Sequence, residues 1–360
     1  VKAAERGTAR RRAGIFGAVL GAAAATGVAV GVAAERYLTR RSRRTDDPYA
    51  DEPFDELPCD KEFTVTTADG VDLHVEVVDG DESAPADLTV VFAHGFCLDM
   101  GTFHFQRRAL AGRYRMVFFD QPGHGRSGRL AQGEYTLESL GHALGAVVEA
   151  TMPERPGAKV VLVGHSMGGM AIMALAEQQP ALFTDRVAGV VLVSTSAGNL
   201  DRVNFGLPEV VAKFRRPLMP LIRNAGKITV SMVDRARSAS TDLAWLLTRR
   251  YGFGSARPSP SLVSYVERMN SDTPAEVIAR YVRTLYAHAR LLALAALRSV
   301  PVLVVCGDVD VLTPLAHSEE ICAALPDAEL VVVERGGHVV LLEHADEVNA
   351  AIEAFLRRVG

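Results

Sequence analysis

The chain of 360 residues predicts an α/β fold: a mostly parallel sheet flanked by helices, with a helical cap inserted late in the sequence. Three patterns carry that prediction. Short apolar runs such as Leu88–Ala93, Tyr114–Phe119, Lys159–Val163, Val187–Val193 and Pro301–Cys306 lack polar alternation, as strands buried on both faces do. Segments with apolar residues at helical spacing lie between them. The alternation stops over 197–297, where helical patterns succeed one another without a buried strand.

The amino-terminal 44 residues form a basic tail, with ten Lys/Arg against Glu5 and Glu35. The rest is acidic, 29 Lys/Arg against 41 Asp/Glu, which offers no support for binding nucleic acid. Residues 13–34 carry no charge, and 22 residues suffice to cross a bilayer core as a helix. The expectation is a single-pass membrane anchor, its orientation undecided because five Lys/Arg flank each side. Two readings compete. Val32-Ala33-Ala34 suits cleavage of a secretory signal, and fourteen Ala or Gly among the 22 residues suit a soluble helix. The acidic, proline-containing stretch 45–60 reads as a linker.

Residues 63–67 and 71–78 alternate about Ala68-Asp69-Gly70, predicting an antiparallel hairpin. The strand at Leu88–Ala93 ends in His94-Gly95-Phe96, and the one at Tyr114–Phe119 ends in Asp120-Gln-Pro-Gly-His-Gly-Arg-Ser127. Thr136–Thr151 has Leu137, Leu140, Leu144, Val147 and Val148 on one helical face. Next comes the strand from Lys159, which runs into Gly164-His-Ser-Met-Gly168 and a helix through Glu177. Within 197–297, Thr273-Pro-Ala-Glu276 predicts a helix start with Thr273 as the cap. Strand Glu329–Val333 and helix Ala345–Arg358 close the chain, so that 61–196 and 298–360 form the core around the cap.

Serine between two glycines at a strand-to-helix turn has the form of a nucleophile elbow, which lifts the hydroxyl above the sheet. Together with Asp120–Ser127, Gly307-Asp-Val-Asp310, Gly336-Gly337-His338 and His94-Gly95-Phe96, it makes the chain resemble the α/β-hydrolase superfamily from about Phe63 to Arg358. The resemblance implies an eight-stranded sheet and a chain order of serine, acid, histidine. It assigns Ser166 as nucleophile, His338 as base, Asp310 rather than Asp308 as acid, and the backbone N–H groups of Phe96 and Met167 as oxyanion donors. Phe103 and Phe105 are candidate walls of the substrate pocket.

The expected activity is serine hydrolysis of an ester or related acyl bond in a lipophilic small molecule. Cofactor-free perhydrolysis, carbon–carbon bond hydrolysis, acyl transfer and a non-catalytic binding role are the alternatives. Cys59, Cys97, Cys306 and Cys322 are scattered, and no metal, nucleotide or haem motif is present, so no cofactor is expected. The oligomeric state is not legible.

Overall fold

The computed structural model describes residues 47–131, 135–200, 203 and 241–360. The elements run β1 (Lys61–Thr66), β2 (Asp72–Val78), β3 (Leu88–Ala93), α1 (His104–Leu110), β4 (Arg115–Phe119), α2 (Leu137–Thr151), β5 (Lys159–His165), α3 (Met167–Gln178), α4 (Pro180–Asp185) and β6 (Val187–Val193). After them come α5 (Thr241–Gly252), α6 (Pro260–Asp272), α7 (Ala275–Tyr286), β7 (Val302–Gly307), α8 (Leu315–Ala324), β8 (Glu329–Val333), α9 (Val340–Glu343) and α10 (Ala345–Val359).

The eight strands form one sheet in the order β1-β2-β4-β3-β5-β6-β7-β8. β2 pairs antiparallel with β1 and β4, and all other pairings are parallel. The chain steps from β3 to β4 in one direction and then returns past β3 to β5. The order therefore reverses between β3 and β5, where the loops at the strands' carboxyl ends diverge and open a crevice. Both motif loops, His94-Gly95-Phe96 and Gly164–Gly168, leave the sheet at this point.

β3 and β5 are buried along almost their whole length because helices cover both faces. One apolar layer joins α2 and α3 to the sheet through Leu144, Val148, Ile172 and Leu162. The opposite layer joins α10 to it through Val163, Val191, Ile352 and Phe355. A third cluster, with Trp245, Leu262, Tyr265 and Val266 on α5 and α6, lies outside the sheet layers. Trp245 is fully buried there, and its Nε1 donates to Ser264 Oγ at 3.0 Å.

Several sequence expectations need correction. No helix among the described residues is long and apolar enough to cross a membrane, which goes against the single-pass membrane assignment. Residues 13–34, on which that expectation and the signal reading rested, lie outside the described residues. Residues 47–60 are not a free linker: Tyr49 and Phe54 pack on the third cluster. Thr273 does not cap α7. It closes the end of α6, where its Oγ1 donates to Met269 O at 3.2 Å, and Pro274 occupies the cap position.

Candidate active site

Ser166 joins β5 to α3 with φ 51° and ψ −115°. A serine seldom takes a positive φ, and such strain persists only where the surroundings leave no alternative. Here the surroundings are backbone. A Cβ on Gly164 would lie 2.6 Å from Gly169 N, and one on Gly168 would lie 1.9 Å from Ala93 O. Strand and helix thus meet so closely that only glycine fits at these two positions. Ser166 N donates to Val193 O at 2.9 Å, and its carbonyl accepts from Thr195 Oγ1 at 2.6 Å.

The hydroxyl held in this way lies 3.0 Å from His338 Nε2. His338 Nδ1 lies 2.8 Å from Asp310 Oδ2. An N–H on Nδ1 donates to that carboxylate and leaves the Nε2 lone pair facing the serine. Asp310 Oδ1 also accepts from Leu312 N at 2.8 Å and Thr313 N at 3.0 Å. Burial pushes the Asp310 pKa up, but His338 beside it and the bonds from His338 and Thr313 outweigh burial, so the pKa is lowered. Asp308 is exposed and makes no such contact.

Two residues that the sequence reading passed over complete the arrangement. Thr313 Oγ1 lies 2.8 Å from Asp310 Oδ2, 2.9 Å from Ser194 O and 3.2 Å from His338 Nδ1. Its signal was the Asp-x-x-Thr-Pro spacing of Asp310–Pro314, in which a threonine three residues on can reach back to the carboxylate. His165 precedes the serine in the elbow. Its Nε2 donates to His338 O at 3.0 Å, tying the elbow to the histidine loop. Burial, then His338, pushes its pKa down to about 3, so the ring is neutral.

Two further histidines brace the loop after β3. His94 Nδ1 donates to Gly95 O at 2.8 Å, and its Nε2 accepts from Gln121 N at 2.8 Å. His124 Nε2 accepts from Cys97 N at 3.2 Å, and burial lowers its pKa to about 4. Phe96 sits on this braced loop. Met167 opens α3, so its N–H has no acceptor within the helix, and the helix dipole is positive there.

A cavity of about 390 Å³ opens over Ser166 and His338. Phe96, Leu98 and Met170 line it from the core; Leu247, Val266, Asn270, Val282 and Leu285 line it from α5, α6 and α7. Phe103 and Phe105 do not belong to this wall. Phe103 packs on Phe92 and Phe118 against the sheet, and Phe105 is buried against Tyr49 and Phe54. Outside the cavity, Cys59, Glu62 and Glu76 bring potential metal-ligand atoms within 4.8 Å of one another. Both carboxylates there already pair with guanidinium groups, Glu76 with Arg107 at 2.6 Å and Glu62 with Arg126.

The chain is 30% identical over 282 residues to a dihydrolipoyllysine-residue acetyltransferase component of an acetoin cleaving system from Cupriavidus necator, covering 74% of this chain and 63% of that protein. It is 27% identical over 285 residues to a pimeloyl-(acyl-carrier protein) methyl ester esterase from Xanthomonas campestris, covering 79% of this chain and 98% of the relative. Among solved structures, a thermophilic esterase from Thermogutta terrifontis superposes with a TM-score of 0.61 at 26% identity, over 83% of this chain and 99% of the other. A family model described as alpha/beta hydrolase fold matches residues 89–345, and the chain belongs to that family.

Proposed function

We propose that the protein is a serine hydrolase that cleaves an ester or related acyl bond of a lipophilic small molecule through an acyl-enzyme. One observation carries this reading: the hydrogen-bonded series Ser166–His338–Asp310 ends in a hydroxyl facing a largely apolar cavity. In the mechanism His338 Nε2 takes the Ser166 proton as Oγ attacks the carbonyl carbon. Asp310 keeps His338 in the required tautomer and balances the imidazolium charge. The N–H groups of Phe96 and Met167 receive the developing oxyanion. His338 then returns the proton to the leaving alcohol as the carbon–oxygen bond breaks. Water, deprotonated by the same imidazole, attacks the acyl-enzyme; as the acyl–Oγ bond breaks, His338 passes that proton to Ser166 Oγ and the acid leaves.

The similarity to a methyl ester esterase and to a solved esterase supports ester chemistry over the other acyl reactions. The apolar wall contributed by Leu98, Val266, Val282 and Leu285 supports an apolar substrate. The test is covalent labelling. A fluorophosphonate should modify the wild-type protein at Ser166 and leave Ser166→Ala unmodified. Labelling of the variant, or none of the wild type under conditions where short p-nitrophenyl esters are turned over, would overturn the assignment of the nucleophile.

A further inference from the structure

Residues 47–56, before β1, bridge the core and α6, which also meet directly where His104 packs on Tyr265 with ring centroids 6.2 Å apart. On the core side Glu52 Oε1 pairs with His104 Nε2 at 2.7 Å and also with Arg108, both on α1. Tyr49 packs on Phe105 of the same helix, with ring centroids 5.2 Å apart. On the cap side Asp47 accepts from Ser261 N at 3.0 Å, from Ser261 Oγ at 2.8 Å and from the Ser259 hydroxyl, all at the start of α6. Phe54 stacks on Tyr265 at 4.2 Å with an interplanar angle of 20°. Tyr265 Oη donates to Asp55 Oδ1 at 2.8 Å, and Arg268 pairs with Asp55.

Ser261, Tyr265 and Arg268 are spaced four and three apart, so they share one face of α6. Val266 and Asn270 lie on the opposite face and line the cavity over Ser166. One helix therefore presents one face to the 47–56 segment and the other to the substrate space. Helices of this cap contribute much of the cavity's apolar wall, so the position of α6 sets the shape of that space.

We propose that residues 47–56 are a strap between α1 and α6 that holds the cap closed over the cavity and thereby sets substrate affinity, while taking no part in the chemistry. Only its kinetic consequence rests on the hydrolase reading. Phe54, Asp55 and Tyr265 are positioning residues, since none of them lines the cavity.

The ground beneath the strap is sensitive to pH. Asp99 Oδ1 accepts from Gly101 N at 2.8 Å, and Gly101 O lies 2.9 Å from Tyr265 Oη, sharing its one hydroxyl proton with Asp55. Burial, then the charge of Asp120, raises the Asp99 pKa to about 7. The titratable and charged groups facing it are Asp120 just after β4, whose own pKa is also pushed up by burial, Asp55 of the strap, and Tyr265 and Arg268 of α6. Above that pH a second negative charge stands beside Asp55, and Arg268 offsets it only in part. Strap contact is thus favoured on the acid side and weakened as pH rises through neutrality.

The experiment compares full-length wild type, Phe54→Ala and the milder Tyr265→Phe by amide hydrogen exchange and by hydrolysis of p-nitrophenyl butyrate. In Phe54→Ala, amides of Pro260–Asp272 should exchange about tenfold faster while those of β3 and β5 keep their protection. KM should rise about fivefold with kcat within about twofold of wild type. Tyr265→Phe should shift both readouts in the same direction by less. Unchanged exchange over Pro260–Asp272 in both variants would overturn the strap, as would an equal loss of protection throughout the sheet. If the wild type hydrolyses no ester and takes no fluorophosphonate, the hydrolase reading fails, and the exchange measurement alone still decides the strap.

Discussion

The turn at Ser166 and the helices above it are held by contrasting means. At the turn, backbone meets backbone: Gly164 against Gly169 and Gly168 against Ala93 leave no room for a single methyl group. At α6, side chains do the holding, and part of the contact is open to water. Arg268 and Asp55, which pair there, are 51% and 47% exposed. A solvated ion pair of this kind contributes about 0–1 kcal/mol. The proposed chemistry therefore rests on geometry that sequence change can hardly retune. The cavity wall rests on contacts that can be adjusted one at a time.

That contrast can be broken at several points. In the proposed mechanism Ser166→Ala should lower kcat on short p-nitrophenyl esters by about 10⁶ and leave the melting temperature near that of wild type. Asp310→Asn, which lets the ring adopt the wrong tautomer, should lower kcat by about 10⁴ with the fold intact by circular dichroism. A loss of only a few-fold would remove Asp310 from the mechanism. Gly168→Ala should destabilise the protein by about 4 kcal/mol or more in urea unfolding, because its Cβ would have to displace strand backbone. A tolerated alanine there would show that the turn can give after all. By contrast Ser259→Ala, at the cap of α6, should cost about 1 kcal/mol.

The smallest effect depends on pH. Asp99 has a folded pKa of about 7 against an ordinary value of 3.8, so the folded chain holds this proton more tightly than the unfolded chain. Its contribution to stability is present in acid and is lost as pH rises between those values. Asp99→Asn, which can still accept from Gly101 N, should remove that part of the slope. Parallel stability–pH curves for the two proteins from pH 5 to pH 8 would refute the assignment.

Much of the fold was legible because its signals are local. Val160–Val163 and Val302–Val305 are each a complete apolar strand within a few residues, and Gly164–Gly168 carries its own turn chemistry. Ser166, Asp310 and His338 could be nominated from the sequence, and the fold brings them into hydrogen-bonding distance. The strap was missed because its partners are remote: Asp55 and Tyr265 are separated by 210 positions. An acidic segment with prolines looks like a linker until those partners are in place. Phe103 and Phe105 misled for a related reason. Aromatic residues next to a motif fit pocket and core equally well, and only tertiary packing decides. Thr273 failed by one residue, since a threonine followed by proline can end one helix as well as begin the next.

Trp245 makes the two layers separately observable. It is the only tryptophan in the sequence, and it sits buried on α5 in the third cluster, where the cap helices meet the core, rather than against the sheet. Its emission therefore monitors the cap, whereas far-ultraviolet dichroism weighs the whole molecule. Coincident transitions in urea would mean that cap and sheet unfold as one cooperative unit. An earlier fluorescence change would isolate the free energy of lifting the cap alone, giving each strap substitution its own optical readout without any substrate.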